Sequence, residues 1–485
     1  MTMDNRTRWL ALYVLCLGDL MIVLDGTIVN VALPSIRDDL GFSQTSLAWV
    51  VNAYLLTFGG FLLLGGRLGD LFGHRRLFLI GISLFTAASL GCGVANSQGL
   101  LVAARAVQGI GGAIVSAVAL SLLMLLFTEQ ADRAKAMGVF GFVLSGGGVV
   151  GVLAGGILTD LLSWHWIFLV NLPVGVLVYL LSLRLLPTER GPAATGRVDV
   201  AGAISVTASL MLAVYAIVNG NEEGWSSTVT LGMLAGAVAL LAVFLAIEAR
   251  ISSPLVPLGL FRNRNVSTAN AVGVLMAAGM FAYFFFSALY LQLVLGYSPL
   301  EVGLAYLPGT VIWGASSLLL SNRLVMRFGI KPPLLTGLAL MTLALVLLAR
   351  TPADGSWAID ILPATIAVGI GAGIAFNPLL LAAMSGVAPE QAGLASGVVN
   401  TAFMMGGAVG LAVLASLAAS RSDDLVASGD GSLAGLNSGY HLAFVVGAVF
   451  VVASAVVAGA LLRTSAAAEH GAAHGAEPAP ATTRG

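Results

Sequence analysis

Long runs of apolar residues, separated by short polar segments, dominate the sequence from one end to the other. A helix needs about 20 mainly apolar residues to cross the hydrocarbon core of a bilayer, and fourteen runs are of about this length. They lie at 9–33, 46–65, 77–95, 99–126, 136–158, 165–186, 200–218, 229–248, 267–292, 302–321, 333–349, 358–381, 394–416 and 440–462. The pattern therefore predicts an all-α membrane protein with fourteen transmembrane helices.

The polar segments between these runs are mostly short. The exception is 420–439, which is rich in Gly, Ser and Asp and is predicted to be the longest external loop. The segment 464–485 has low complexity and is predicted to be a disordered cytoplasmic tail. The first apolar run is not followed by a small-residue cleavage site, so we interpret it as a membrane helix and not as a removed signal.

The positions of Lys and Arg predict the orientation in the membrane, because these residues accumulate on the cytoplasmic side. If the N-terminus is cytoplasmic, eighteen of the 22 Lys and Arg residues fall inside, three fall outside, and Arg105 lies within a span. One wrong span would invert every later loop and remove this asymmetry. We therefore predict that both termini are cytoplasmic.

The composition agrees with a membrane protein and excludes several other classes. Hydrophobic residues make up 58% of the 485 residues and charged residues 9%, whereas soluble domains carry about 25% charged residues. The net charge of −1 gives no indication of a nucleic-acid partner. Cys16 and Cys92 both lie within apolar runs, where they are expected to pack as small apolar residues and not to form a disulfide.

No motif for catalysis or metal binding stands out. His470 and His474 have the spacing of a metal pair, but no further ligand lies near them. Neither of the two lysines follows a glycine, so no Walker A phosphate-binding loop exists, and the motifs H-E-x-x-H and G-x-S-x-G are absent from the sequence. We therefore predict that the protein is not an enzyme and that it holds neither a metal nor another cofactor.

An internal repeat divides the chain into two related parts. The segments 66–76 and 322–331 match at an offset of 256, and each follows the second helix of a six-helix set. The matching pairs are Arg67 with Arg323, Leu68 with Leu324, Phe72 with Phe328, Gly73 with Gly329 and Arg75 with Lys331. Repeats of this kind are typical of secondary transporters. We predict an N-terminal six-helix bundle (1–190), two accessory helices (191–262), a C-terminal six-helix bundle (263–463) and the tail.

Four segments resemble the fourteen-helix drug:proton antiporter branch of the major facilitator superfamily, over nearly the whole chain. They are Leu24–Pro34 in helix 1, Gly66–Arg76 after helix 2, Arg105 with Gln108 and Gly109 in helix 4, and Trp164–Gly175 at helix 6. The chain also departs from the usual pattern of the branch. Leu71 and His74 replace basic residues of the loop, His165 replaces an Arg, and Val152 replaces the Pro of the helix 5 motif.

The resemblance implies a proton-driven exporter of amphiphilic small molecules such as drugs, antibiotics or toxic metabolites. Its partners would be the small-molecule substrate, protons and the lipid bilayer, with the proton gradient as the energy source, and we expect it to act as a monomer. Two other functions are compatible with the residues. The chain could import a nutrient, or it could bind a ligand as a sensor without transporting it.

Asp25 is the first candidate for proton coupling. A carboxylate in the middle of a span costs about 2.5–3.5 kcal/mol on insertion scales, so it should face a cavity or a partner. Its protonation can change when its surroundings alternate between water and protein. The alternative is a packing role in which Asp25 bonds to Thr27 or Asn30.

Arg105 and Asp19 are the other two candidates. Arg105 and Asp25 lie about 10 and 12 Å from the outer ends of helices 4 and 1 at 1.5 Å per residue, so we predict a direct or water-bridged pair. The alternative is that Arg105 anchors backbone carbonyls. Asp19 is turned by roughly 120° from Asp25, and it could either bind a proton or be solvated from the cytoplasmic side.

The remaining candidates follow from the motifs. The loop after helix 2 is predicted to be a cytoplasmic conformational clamp in which Asp70 pairs with a neighbouring Arg or caps a helix; the alternative is a simple topological anchor. Its residues are Gly66, Arg67, Asp70, Gly73, Arg75 and Arg76. Helix 5 carries the antiporter glycines, which could also serve close packing alone: Gly147, Gly151, Gly155 and Gly156. The predicted substrate cavity includes Asn30, Gln108, Tyr283, Tyr290 and Gln292. For the last three, which lie in helix 9, the alternative is a lipid- or core-facing cluster.

Overall fold

A computed structural model describes residues 4–187, 199–251, 254–429 and 431–463. This part of the chain contains fourteen helices that are long and apolar enough to cross a membrane, as predicted, and no strand. They are α1 (Asn5–Leu40), α2 (Ser46–Phe72), α3 (His74–Gly93), α4 (Gln98–Leu126), α5 (Lys135–Leu161), α6 (Trp166–Leu185), α7 (Val200–Asn221), α8 (Thr228–Arg250), α9 (Arg264–Val294), α10 (Pro299–Phe328), α11 (Lys331–Leu348), α12 (Trp357–Met384), α13 (Gln391–Ala427) and α14 (Ser432–Leu461).

The predicted long external loop at 420–439 is wrong. Helix α13 continues to Ala427, and α14 already begins at Ser432. The 37 residues of α13 extend about 55 Å at 1.5 Å per residue, which exceeds the roughly 30 Å thickness of the hydrocarbon core. The polar residues at the end of α13 therefore lie on helical turns outside the hydrocarbon core. There, polar side chains are accommodated on a helix as easily as in a loop.

Each half of the chain packs mainly with itself. Among α1–α6, the main contacts are α2 with α4, α3 with α4, α1 with α5 and α3 with α6. Among α9–α14, they are α9 with α13 and α14, α13 with α14, and α11 with α12 and α14. Helices α7 and α8 pack on each other, and α7 also contacts both α2 and α13. The accessory pair therefore lies beside a place where the two halves meet.

The two halves contact each other through α2 with α13, α5 with α10 and α1 with α9. We call the end of the bundle where α1 begins and α14 ends the terminal face, and the other end the opposite face. Close to the opposite face, Gln292 Nε2 of α9 donates to Val31 O of α1 at 2.8 Å. In the same region Gly156 of α5 lies against the backbone of Pro299 and Leu300 at the start of α10. The opposite face is thus bridged in two places.

Some predictions concern residues outside the described ranges. These are the tail 464–485 with His470 and His474, the domain boundary at 190, and three cations of the charge count: Arg190, Arg197 and Arg484.

Candidate functional site

Asp25 lies at the centre of a buried polar network. It is 0% exposed and receives hydrogen bonds from three side chains on α4 and α6. Arg105 Nη1 donates to Oδ2 at 2.5 Å, Gln108 Nε2 donates to Oδ1 at 2.7 Å, and Asn171 Nδ2 donates to the same oxygen at 3.0 Å. The partners lie on other helices, so Asp25 joins α1, α4 and α6.

Arg105 combines the two roles considered for it in the sequence. It is 1% exposed and forms the ion pair with Asp25, while its Nε donates to Val50 O of α2 at 2.9 Å. Its guanidinium carbon lies 4.3 Å from the centre of the Tyr54 ring and 5.6 Å from that of Phe168. An aromatic face attracts a cation, so Arg105 is held by a carboxylate, a carbonyl and two rings.

A second layer of hydrogen bonds orients these groups. Gln108 Oε1 accepts from Arg105 Nη1 at 2.7 Å, and Gln108 Nε2 also donates to Ser89 Oγ of α3 at 2.8 Å. Asn171 Nδ2 lies 3.4 Å from the same hydroxyl. Removing one member therefore disturbs at least two others, because buried polar groups in such networks depend on one another.

The alternative in which Asp25 bonds to Thr27 or Asn30 does not hold. Thr27 Oγ1 donates to the carbonyls of Val23 and Leu24, and Asn30 Nδ2 donates to those of Gly26 and Thr27. Both side chains thus bond to the backbone of their own helix. Asp25 is satisfied by the neighbouring helices instead.

Asp19 occupies a separate place between α1 and α4. It is buried, and Ser116 Oγ donates to its Oδ1 at 2.6 Å. Its Oδ2 has no hydrogen-bond partner in the described part of the chain. Helices α1 and α4 run in opposite directions, so Asp25 meets α4 near its start and Asp19 meets it about two turns further on. The two acids share a neighbouring helix but no hydrogen-bond partner.

Three members of the network were not predicted from the sequence: Ser89, Asn171 and the carbonyl of Val50. Asn171 does lie within Trp164–Gly175, one of the four segments that carry the family resemblance. The signal that could have identified Asn171 is its polar amide side chain within an apolar span. Ser89 and Val50 give no such signal, since serine and a backbone carbonyl are common in membrane helices.

Comparison with known proteins decides the family. The model for the Major Facilitator Superfamily matches residues 15–411. The chain belongs to this superfamily. It is therefore a multi-pass membrane transporter, with two helices between its six-helix sets.

Two proteins that are similar in sequence to this chain have names that refer to antibiotics. The puromycin resistance protein pur8 of Streptomyces alboniger is 40% identical over 96% of this chain and 94% of its own length. The cephamycin export protein CmcT of Amycolatopsis lactamdurans is 38% identical over 94% of this chain and 93% of its own length.

A solved structure confirms the fold. A bacterial homologue of the human lysosomal transporter Spinster, in an inward-facing and unoccupied conformation, has a TM-score of 0.67. It covers 94% of this chain and 97% of its own, at 16% identity. The likeness extends over both halves of this superfamily member.

The segment 66–76 of this superfamily member was predicted to be a loop, but it forms the last turns of α2, a turn at Gly73 and the start of α3. It packs on its own half. Asp70 Oδ1 lies 3.3 Å from His74 Nε2, and its Oδ2 lies 3.9 Å from Arg67 Nη1. Arg75 Nη2 donates to Leu183 O of α6 at 2.5 Å. His74, which departs from the usual motif, is thus a partner of Asp70. Gly73 has a φ of 91°, which suits the sharp turn into α3. The clamp role of the segment, with Gly66 and Arg76, stays a prediction.

The glycines of α5 face two different helices. A Cβ at Gly147 would lie 2.9 Å from Val23 Cγ1, one at Gly151 would overlap Thr27 Oγ1, and one at Gly155 would lie 2.7 Å from Ile28 O, all on α1. Gly156 faces α10 instead. Small residues allow such close approach, so α5 packs tightly on α1 in its own half and on α10 in the other.

The predicted cavity residues do not form one wall. Gln108 belongs to the Asp25 network, and Gln292 bridges the two halves. Tyr283 Oη donates to Thr365 Oγ1 at 3.3 Å, while Tyr290 Oη donates to Pro352 O at 2.5 Å. Both rings are buried within the C-terminal half. Substrate contact by these residues and by Asn30 stays a prediction.

Proposed function

We propose that this protein exports amphiphilic small molecules across the cell membrane in exchange for protons, with Asp25 as the main coupling carboxylate. The observation that carries the proposal is the buried Asp25–Arg105 pair within the N-terminal half. Ionisable residues inside membrane spans are costly to insert and often mark proton or substrate pathways, which makes Asp25 the first candidate. The names of the relatives, which refer to puromycin resistance and cephamycin export, support both the class of cargo and the outward direction.

The geometry suggests how proton and cargo are linked. A proton on Asp25 removes the negative partner of Arg105, and the network can then rearrange through Gln108 and Asn171. If cargo binding also changes the surroundings of Asp25, each ligand alters the affinity for the other. The same acid then serves proton uptake in one conformation and proton release in the other, because its neighbours differ between the two.

The contacts between the halves support alternating access. We propose that the halves rock about a central cavity, that the contacts of Gln292 and Gly156 near the opposite face hold that side closed, and that the segment 66–76 acts as a clamp at the terminal face. Both termini would be cytoplasmic. The N-terminal bundle would end at residue 190, the accessory helices at 262 and the C-terminal bundle at 463, in a protein that acts as a monomer without a cofactor.

Everted membrane vesicles test the direction of transport against the alternatives. An exporter accumulates labelled cargo inside such vesicles and partly collapses an imposed proton gradient. A nutrient importer would lose cargo from the vesicles, and a sensor would bind it without transport. A susceptibility panel in a host that lacks its own pumps identifies the cargo to use.

A further inference from the structure

Two acidic side chains lie buried at the terminal end of the accessory helices, away from the Asp25 network. Asp199 precedes the first turn of α7 and is 1% exposed, and Glu248 lies in the last turn of α8 and is 3% exposed. The two carboxyl groups lie close enough to influence each other electrostatically, and Ala203 of α7 packs in one apolar cluster with Leu255, close in sequence to the residue that bonds to Glu248. No residue of this pair bonds to the network around Asp25.

Each carboxyl group has one oxygen with a donor and one without. Asp199 Oδ1 accepts from Gly202 N at 2.7 Å, which caps α7, and Glu248 Oε2 accepts from Val256 N at 3.2 Å. The other oxygens, Asp199 Oδ2 and Glu248 Oε1, are buried and have no hydrogen-bond partner in the part of the chain that the structure describes. Buried polar atoms nearly always have a hydrogen-bond partner. These two oxygens can provide one for each other only if one of them carries a hydrogen atom.

No positive charge offsets the pair within the described ranges. Neither carboxylate takes part in any of the ion pairs there. On the neighbouring segments, Arg67 and Asp70 of α2 pair with each other, while Arg250 and Arg262 are exposed. An ionised carboxylate has no proton to donate, and two adjacent buried carboxylates repel each other. A single proton between the two groups satisfies both requirements.

We propose that Asp199 and Glu248 form a second proton-binding site, in which one shared proton fastens the accessory helices to the segment that leads into α9. Through Val256, Glu248 holds the chain just after α8. The adjacent Leu255 packs in one apolar cluster with Leu64 of α2 and Ala203 of α7. The pair thus connects α7, α8 and the linker to the end of α2, beside the contact between α2 and α13.

Loss of the proton has a defined structural consequence. Two adjacent negative charges repel, Glu248 moves away from the start of α7, and the linker loses its attachment. Because the pair lies at the terminal face, the pH on that side of the membrane sets its occupancy. This site is independent of proton coupling at Asp25, so either proposal can fail without the other.

Infrared spectroscopy of the purified full-length protein tests the shared proton. A protonated carboxyl group has its own C=O band, which disappears when the group ionises. We expect wild type to show a band component from the pair that titrates with pH, and we expect Glu248→Gln and Asp199→Asn each to remove that same component, whatever Asp25 contributes to the rest of the band. The component should remain in Asp25→Asn and in the control Glu223→Gln, which changes an exposed acid at the other end of α7. A spectrum that is unchanged in both pair variants would overturn the proposal.

Thermal unfolding provides a second measurement, which remains informative if one variant gives weak spectra. Raising the pH should lower the unfolding temperature of wild type, because the ionised pair repels. The Glu248→Gln amide can donate permanently to Asp199 Oδ2, so its unfolding temperature should lose most of this pH dependence. Equal pH dependence in wild type and in Glu248→Gln would count against a shared proton.

Discussion

At the scale of single residues, Asp25 depends wholly on its neighbours. It is fully buried, and Arg105, Gln108 and Asn171 provide its hydrogen bonds. Hydrogen bonds to a charged group contribute about 1.5–3 kcal/mol each, and the loss of one leaves the other partner unsatisfied. The neighbours therefore determine both the stability of the carboxylate and its ability to change protonation.

The first prediction concerns Asn171, a positioning residue. Replacing it with leucine removes one donor to Asp25 and leaves Ser89 with fewer partners. Asn171→Leu should lower the stability of the protein by about 1–3 kcal/mol and reduce export against a gradient several-fold, with an altered pH profile. Asn270→Leu is the matched control, because Asn270 Nδ2 bonds only to Val266 O of its own helix. Unfolding temperature and vesicle uptake measure both effects. A normal pH profile in Asn171→Leu would contradict a positioning role.

Part of this site could be predicted from the sequence, because the depth of a residue within its span can be counted from the end of the span. Asp25 and Arg105 lie at similar depths in helices that run in opposite directions, and the structure joins them. Ser89 and Val50 could not be predicted, because their contribution depends on which helices become neighbours and how they are rotated. Those are properties of the packed bundle and not of any one span.

At the scale of helices, the packing of α5 on α1 depends on the absence of side chains. Gly151 lies where any Cβ would overlap Thr27 Oγ1 and would come within 3.1 Å of Leu24 O. Thr27 is also held by bonds to its own backbone, so it cannot move away freely. The contact is therefore sensitive to a single methyl group.

The second prediction uses two glycines of the same helix. Gly151→Ala should destabilise the protein by about 1–3 kcal/mol, the usual cost of overpacking. Gly148→Ala is the matched control, because a Cβ there has no heavy atom within 4 Å, and it should leave the unfolding temperature unchanged or slightly raised. Thermal unfolding in detergent measures both. Equal behaviour of the two variants would mean that α5 does not pack on α1 as described.

The third prediction concerns Asp70 in the last turn of α2, just before the turn at Gly73 that leads into α3. Asp70 contacts His74 and Arg67 at the terminal face, far from the Asp25 network. Asp70→Asn removes the charge and should slow transport, while the equilibrium affinity for cargo stays within a few-fold. Asp38→Asn is the control, since Asp38 forms an exposed pair with Arg37 near the opposite face. A large loss of affinity with a normal transport rate in Asp70→Asn would show that the segment 66–76 is not a clamp.

Helix number was easier to predict than helix length. Each apolar run marks a span, but the hydrocarbon core limits only the apolar part of a helix. Beyond the core, polar residues can continue the helix or form a loop, and hydropathy does not distinguish the two. For this reason the end of α13 was predicted near 416 and lies at Ala427.

At the scale of the whole molecule, the asymmetry of Lys and Arg predicts which face is cytoplasmic. The fourth prediction tests it with single cysteines at exposed positions. Ser226→Cys and Ser428→Cys lie at the opposite face, after α7 and α13, and Met326→Cys lies near the end of α10 at the terminal face. Ser226 is preferable to Ser227, whose hydroxyl caps α8 by accepting from Thr230 N. Cys16 and Cys92 are buried and should contribute little background labelling.

An impermeant thiol reagent added to intact cells should label Ser226→Cys and Ser428→Cys but not Met326→Cys. Permeabilised cells should then label all three, which shows that the third site is accessible. The reverse pattern in intact cells would place both termini outside, so that each proposed site would face the opposite side of the proton gradient.

The central claim is that Asp25 couples the proton gradient to export. It rests on the buried Asp25–Arg105 ion pair and on two halves whose contacts bridge the opposite face. Asp25→Asn keeps the size of the side chain, and its amide oxygen can still accept from Arg105. Its NH2 group would, however, face the donors Gln108 Nε2 and Asn171 Nδ2, and Arg105 would lose its counter-charge. The cost in stability should therefore be of the order of a broken buried ion pair, roughly 3–5 kcal/mol, and the amount of folded protein is measured alongside transport. Asp19→Asn is the matched control on the same helix.

The most direct measurement is the uptake of labelled cargo into everted vesicles with and without a proton gradient. Asp25→Asn should bind neutral cargo and equilibrate it across the membrane, yet should not accumulate it when the gradient is imposed. Asp19→Asn should retain most of the accumulation. If Asp25→Asn accumulates cargo like wild type while Asp19→Asn does not, the coupling carboxylate is Asp19 and the central claim is wrong.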